Sequence, residues 1–151
     1  MDRLPAQTTP PQAPQPTWPR LARSVGAIVA GYVAITVLVT VAWMVLSKIA
    51  PGQFRSSHAN PTLLVFLADT LIAVGAGAIA GYLTGFLAGR SETVHAMILG
   101  GFMAVLSVVT ALIPNTEYDL PGWHSFLLIA VMLISVWLGA HFRQSQRLAA
   151  K

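Results

Sequence analysis

Four long apolar stretches, residues 25–46, 63–88, 93–113 and 123–142, contain only one charged residue between them, Asp69. An α-helix rises ~1.5 Å per residue, so about 20 apolar residues match the ~30 Å hydrocarbon core of a bilayer. Backbone N–H and C=O groups in that core must be paired within the protein, and a helix pairs its own. The stretches therefore predict an all-α, polytopic membrane protein, a bundle of four transmembrane helices surrounded by lipid.

Composition supports this class and excludes others. Charged residues make up 9% of the chain and hydrophobic residues 55%, whereas soluble domains carry roughly 25% charged residues. The formal net charge of +4 comes from basic residues at the ends of the apolar stretches, not from a patch, so we predict no nucleic-acid partner. Without cysteine the chain has no disulfide and no thiolate chemistry.

The chain divides into three parts. Residues 1–20 contain six of its ten prolines and predict a disordered, polyproline-II-like cytoplasmic tail. Residues 21–143 form the predicted transmembrane domain, and residues 144–151 a short basic tail. The first apolar stretch is too long for a cleaved signal sequence, so we read it as a retained helix.

Lysine and arginine are distributed unequally between the two predicted sides of the membrane. Only Lys48 and Arg55 fall on the side opposite the N-terminus. The other basic residues fall on the N-terminal side: Arg3, Arg20, Arg23, Arg90, Arg143, Arg147 and Lys151. Because basic residues stay on the cytoplasmic side, we predict cytoplasmic N- and C-termini in a bacterial inner membrane.

Small residues recur every four positions along the second and third stretches, at Ala73, Gly77, Gly81, Gly85, Gly89, Ala96 and Gly100. This spacing places them on one helix face, where a neighbouring backbone can approach closely. We predict that this face packs inside the bundle. The alternatives are the seam of a homodimer or larger membrane complex, and, less favoured, a pore.

Between the second and third stretches the sequence allows only a tight turn. Gly89 is expected to end one helix, Ser91 to cap the next, and Glu92 to lie at that helix's positive end. A connection this short predicts an antiparallel hairpin of the two helices.

Asp69 is the one candidate charge site. An acid within an apolar helix suggests a proton relay or a cation site, because a charge at the bilayer centre costs ~2.5–3.5 kcal/mol. Residues 71–89 alone nearly cross a bilayer, however, so the favoured interpretation places Asp69 at the far-side interface.

The histidines do not indicate a metal or haem site. His58 and His124 fall on the far side, where Glu117 and Asp119 could join them, but no ligand spacing supports a metal. No catalytic motif is present, so we predict neither enzyme activity nor a cofactor.

The segment Gly81-Tyr82-Leu83-Thr84-Gly85-Phe86-Leu87-Ala88-Gly89-Arg90, with His95-Ala96 and Gly100-Gly101 after it, resembles a pattern in small uncharacterised bacterial membrane proteins with four helices. The resemblance implies the same helix layout and no activity. Small multidrug transporters instead carry a glutamate in their first helix, which this chain lacks. The sequence thus predicts a structural or accessory bundle, with a proton- or cation-coupled transporter using Asp69 as the alternative.

Overall fold

Helices make up nearly all of the computed structural model, which describes residues 18–54, 62–89, 91–111 and 122–150. They are α1 (Trp18–Ile49), the single turn α2 (Pro51–Phe54), α3 (Leu63–Ala88), α4 (Glu92–Ala111) and α5 (Gly122–Ala149). Four of them, α1, α3, α4 and α5, are long and apolar enough to cross a membrane. The predicted all-α fold with four membrane-spanning helices is confirmed.

The helix bounds differ from the predicted ones mainly at the two ends of the chain. Helix α1 begins at Trp18, inside the stretch that was predicted to be disordered, with Pro19 in its first turn. A proline is well placed there because the first N–H groups of a helix have no partner within it. Helix α5 continues to Ala149, through most of the predicted basic tail. The predicted tail over residues 1–17 lies outside the described residues.

The long helices alternate in direction, so each end of the bundle contains one end of every long helix. We call one the arginine end, where α1 begins, α3 ends, α4 begins and α5 ends. We call the other the Asp69 end. The turn between α3 and α4 follows the prediction in part: Gly89 has a left-handed φ of 68° and its N–H donates to the carbonyl of Gly85 at 3.2 Å.

The roles predicted for Ser91 and Glu92 hold only in part. Glu92 lies in the first turn of α4, as predicted, whereas Ser91 departs from the usual N-cap geometry. Ser91 has a φ of 52°, whereas an N-cap residue is usually extended. Its carbonyl oxygen, not its hydroxyl, accepts the hydrogen bonds from the N–H groups of Val94 and His95, at 3.0 and 3.2 Å. Glu92 is buried in an ion pair with another helix, which is described below with the arginine end.

The central pair of the bundle is α3 and α5, which share its most extensive interface. The two helices run parallel, and one constant register joins Gly81 to Val136 and Gly85 to Ala140. Helices α1 and α4 flank this pair and contact each other much less. The antiparallel hairpin of α3 and α4 is present, but α3 packs more extensively on α5 than on its hairpin partner.

Backbone contact between α3 and α5 depends on two glycines. A methyl group added at Gly81 would overlap the carbonyl oxygen of Val136, and one added at Gly139 would overlap the carbonyl oxygen of Ala78. Two helices can approach this closely only where one of the two facing residues is a glycine, which allows van der Waals and Cα–H···O contacts along the interface. The sequence reading did not single out Gly139.

The other small residues predicted to pack lie at helix contacts. A side chain at Gly77 would meet Ser135 and Met132, and one at Gly100 would meet Leu133, so both glycines face α5. The predicted face is therefore covered within the chain over most of its length. The remaining members are buried, or closely approached by a neighbour, or both: Ala73, Gly85, Gly89 and Ala96.

We predict that Gly81→Ala destabilises the bundle, because the added methyl group meets main-chain atoms of Val136 that cannot rotate away. The expected loss in unfolding free energy is about 1–3 kcal/mol. Unfolding in mixed micelles by titration with sodium dodecyl sulfate, followed by circular dichroism, measures it.

Gly75→Ala is the matched control, since no atom lies within 4 Å of a methyl group added there. Its stability should be unchanged or slightly higher, as alanine favours a helix more than glycine does. Equal stability of the Gly81 and Gly75 variants would contradict the close approach of α3 and α5.

Candidate functional site

Asp69 and His124 meet at the Asp69 end. Asp69 lies in the second turn of α3 and His124 near the start of α5, and 3.8 Å separates the Asp69 Oδ2 from the His124 Nε2. The register that aligns Gly81 with Val136 also brings these two side chains together. The imidazole is buried, with 1% of its surface exposed, whereas the carboxyl is 18% exposed. The pair thus has one enclosed member and one member that is accessible.

A third helix contributes to this pair. The side chain of Trp43 in α1 hydrogen-bonds the Asp69 carboxyl. Phe66 packs edge-on against the His124 ring at 4.9 Å and stacks on Trp123 at 5.6 Å. Tryptophans are typical of membrane–water interfaces, so the ring cluster suits this end of a transmembrane bundle.

The imidazole of His124 is held without hydrogen bonds. Within the described part of the chain, neither its Nδ1 nor its Nε2 has a hydrogen-bond partner, although both are buried. A buried polar atom without a partner costs ~1–3 kcal/mol and is therefore unusual. Among the described residues, the nearest ionisable group to this imidazole is the Asp69 carboxyl, 3.8 Å away.

A cavity of about 460 Å³ opens beside Asp69. Residues from all four long helices line it. Most of its wall is aliphatic, including Ile35, Ile72 and Met132. Among the described residues that line it, Asp69 and the phenol of Tyr32 are the ionisable groups.

Hydroxyl groups from α1 and α4 provide the rest of the polar lining. Thr36 donates to the Tyr32 carbonyl, Ser107 to the Met103 carbonyl and Thr110 to the Leu106 carbonyl, at 2.9–3.0 Å. Because each hydroxyl proton is used within its own helix, the oxygen lone pairs remain to accept a hydrogen bond or contact a cation. A cavity with one carboxyl and several oxygen acceptors suits a positively charged or proton-donating occupant.

The structure brings together only some of the polar residues that the sequence analysis weighed. His58, Glu117 and Asp119 lie outside the described residues, so their predicted position near His124 is not described. His95 contacts the Ser91 carbonyl oxygen through Nδ1 at 3.0 Å, and His141 stacks on Trp137. In the described ranges no three metal-ligating side chains come together.

The Asp69–His124 contact was not foreseen, although the sequence contained a signal for it. Both residues lie within two turns of the far-side ends of their predicted helices, which places them at the same end of the predicted bundle. What the sequence could not show is that these two helices are neighbours.

The arginine end holds a buried acid. Glu92, which is 3% exposed, begins α4, and its Oε1 pairs with Arg147 Nη1 of α5 at 3.1 Å. The same Nη1 donates to the Gly89 carbonyl at 2.6 Å. Side-chain hydrogen bonds from Thr93 to Gln144 and from Tyr82 to Gln146 also tie the extended end of α5 to α4 and α3.

We expect Asp69 and His124 to be energetically coupled. A double-mutant cycle with Asp69→Asn and His124→Asn, measured by unfolding in mixed micelles, should give an interaction energy of about 0.5–3 kcal/mol. Thr70→Val in place of Asp69→Asn is the control, because the Thr70 hydroxyl donates to Phe66 of its own helix. Additive effects of Asp69→Asn and His124→Asn would show that the pair does not interact.

Comparisons with known proteins assign the chain to no family. No protein-family model, no curated protein and no solved structure matches it. The resemblance to small bacterial four-helix membrane proteins stays a prediction, and the geometry of the two ends carries the functional argument.

Proposed function

We propose that this multi-pass membrane protein binds a proton or a small cation in the cavity beside Asp69, and that it works as a small coupled transporter. The observation that carries the proposal is the placement of Asp69. Its carboxyl pairs with a buried imidazole on one side and borders a cavity of about 460 Å³ on the other. From the sequence alone, this function is the alternative to a structural or accessory bundle.

The physical reason is the cost of charge in a membrane. A carboxylate in an apolar helix is stabilised when a proton or a cation neutralises it, so the cavity favours an occupant with positive charge. The His124 imidazole lies 3.8 Å from the carboxyl, and neither of its nitrogens has a hydrogen-bond partner among the described residues. Its polar atoms therefore add to the polar groups around the carboxyl that a proton or a cation could contact.

The depth of Asp69 suits entry from one side of the membrane. Asp69 lies six residues after the start of α3, ~9 Å along the helix. The remaining helix, from Asp69 to Ala88, spans ~28 Å, close to the thickness of the hydrocarbon core. We infer that the carboxyl lies at the boundary of that core and that the cavity extends from it inward.

The arrangement of basic residues supports an orientation for this site. Arg23, Arg143 and Arg147 gather at the arginine end, where the positive-inside rule favours the cytoplasm. We propose that both termini are cytoplasmic in a bacterial inner membrane. The Asp69 cavity then faces the outside, and an occupant enters from there.

A second candidate is a structural or accessory bundle without transport, which was the first expectation from the sequence. One observation favours it: Asp69 contacts both Trp43 and His124 and so joins α1, α3 and α5 at one end. In that function the carboxyl holds helices together, and the cavity is a lipid-filled cleft.

Flux through the purified protein in proteoliposomes separates the two candidates. Proton entry, reported by a pH-sensitive dye inside the vesicles under a potassium diffusion potential, and sodium entry, reported by radioactive sodium, are the two assays. Asp69→Asn should abolish the flux that the unaltered protein supports, because it removes the negative charge and keeps the side chain's size.

Glu92→Gln is the charge-matched control, since it removes one carboxylate at the opposite end and should leave flux in place. Absence of both fluxes in the unaltered protein, or equal flux in the Asp69→Asn variant, would contradict the transporter and favour the structural bundle.

A further inference from the structure

Three arginines from two helices converge on the end of α3. Arg23 comes from α1, and Arg143 and Arg147 come from α5. Together with Glu92 they line a cavity of about 640 Å³ at the arginine end. This cavity lies at the opposite end of the bundle from Asp69 and has no role in the transport proposed above.

Contacts within the chain occupy only part of the hydrogen-bonding capacity of these arginines. Arg23 Nε donates to the Leu87 carbonyl at 2.7 Å, and Arg147 Nη1 serves both Glu92 and Gly89. A guanidinium has five N–H donors, so most of those in the cavity remain. In the described residues, Nε of Arg143 and Nε of Arg147 are buried without a hydrogen-bond partner.

The charge of the cavity is positive. Among the described residues that line it, Glu92 is the one acid, against three arginines, and Oε1 of Glu92 is paired with Arg147. Arg143 lies over the Phe86 ring at 4.9 Å, which holds its guanidinium in place without neutralising it. An anion is therefore the occupant that this charge favours.

The lining residues and the position of the cavity indicate which kind of anion it binds. Guanidinium groups match the oxygens of a phosphate with paired hydrogen bonds. The other walls are apolar: Phe86 and Leu87, both exposed on the outside of the bundle, together with Ala27 and Gly26. A ligand with a phosphate beside hydrocarbon fits such a wall, and the ends of transmembrane helices lie where lipid phosphates are found.

From this arrangement we infer that the arginine end is a binding site for the phosphate of an anionic phospholipid. Arg23, Arg143 and Arg147 hold the headgroup, and the first part of the acyl chains lies against Phe86 and Leu87. Glu92 orients Arg147 and keeps the headgroup from being drawn further into the bundle. The bound lipid contacts both α1 and α5, which otherwise make few contacts with each other.

Two variants test the site by different means. Arg143→Gln removes one positive charge and the buried donor. Gly26→Leu fills the cavity sterically, and no atom lies within 4 Å of a methyl group added at Gly26, so the bundle can accept the start of this side chain. Gly101→Leu is the control, because Gly101 is equally open but lies in α4, away from the cavity.

The measurement is native mass spectrometry of the full chain in detergent with added phosphatidylglycerol, phosphatidylcholine or inorganic phosphate, together with the melting temperature under each condition. Phosphatidylglycerol should bind the unaltered protein and the Gly101→Leu variant more tightly than phosphatidylcholine does. Arg143→Gln should weaken that binding about tenfold, as expected for the loss of one charge-assisted hydrogen bond. Gly26→Leu should also weaken it, because the added side chain occupies the space of the lipid.

Three results would overturn the inference. The first is equal binding of phosphatidylglycerol and phosphatidylcholine by the unaltered protein. The second is unchanged binding of phosphatidylglycerol in a Gly26→Leu variant that melts at the normal temperature. The third is stabilisation by inorganic phosphate without stabilisation by phosphatidylglycerol, which would identify free phosphate as the occupant.

Discussion

The backbone contact between α3 and α5 is the interaction on which the rest of the bundle depends. Gly81 and Gly139 let the two helices approach until main-chain atoms touch, with Val136 and Ala78 as the opposing residues. In a membrane there is little hydrophobic gain from helix association, so close packing and Cα–H···O contacts provide much of the stability. Such contacts fix the alignment of the two helices. A shift along the interface would place a side chain where Gly81 or Gly139 now meets the main chain of the other helix.

That alignment determines the chemistry at both ends of the bundle. Since α3 and α5 run parallel, the register that joins Gly85 to Ala140 also places Asp69 against His124. At the other end it carries the last turns of α5 past Gly89, where Arg147 reaches both the Gly89 carbonyl and Glu92. Neither contact is local in sequence. Both follow from a packing interface built mainly from small and apolar residues.

The two ends of the bundle differ in the charge that is not neutralised by contacts within the chain. At the Asp69 end an acid meets an imidazole and an indole and borders a cavity lined by hydroxyl groups. At the arginine end three guanidinium groups surround one carboxylate, so positive charge remains. The first arrangement suits a cation or a proton, and the second suits a phosphate. A bundle whose two ends differ in charge in this way is suited to one orientation in a membrane.

Much of the fold was predictable from particular residues. The range 63–88 for α3 was predicted as observed, because Asn60-Pro61 and Gly89 bound an unbroken apolar stretch. The start of α1 at Trp18 and the continuation of α5 to Ala149 were not predicted. Hydropathy marks where a helix enters lipid, not where the helix ends. Arg143 and Gln146 lie in helix beyond the apolar stretch and contact α3.

The candidate sites were predictable only in part. Asp69 was selected because it is an acid in an apolar helix, but His124 and Trp43 were not recognised as its partners. Glu92 was read as a residue that stabilises the start of α4, which is a local interpretation. Its burial against Arg147 is a contact across helices that are far apart in the chain, and residue type alone cannot show such a contact.

By itself the sequence determined that the chain crosses a membrane with four helices, where its tight turn lies and which helix face carries small residues. These properties depend on hydropathy, length and local backbone preferences, which are all read along the chain. Only the tertiary structure decided that α3 pairs with α5 in parallel, and so which acid meets which base. The physical reason is that a face of glycines allows any neighbouring helix to approach closely. Which helix packs there depends on how well all four helices pack together.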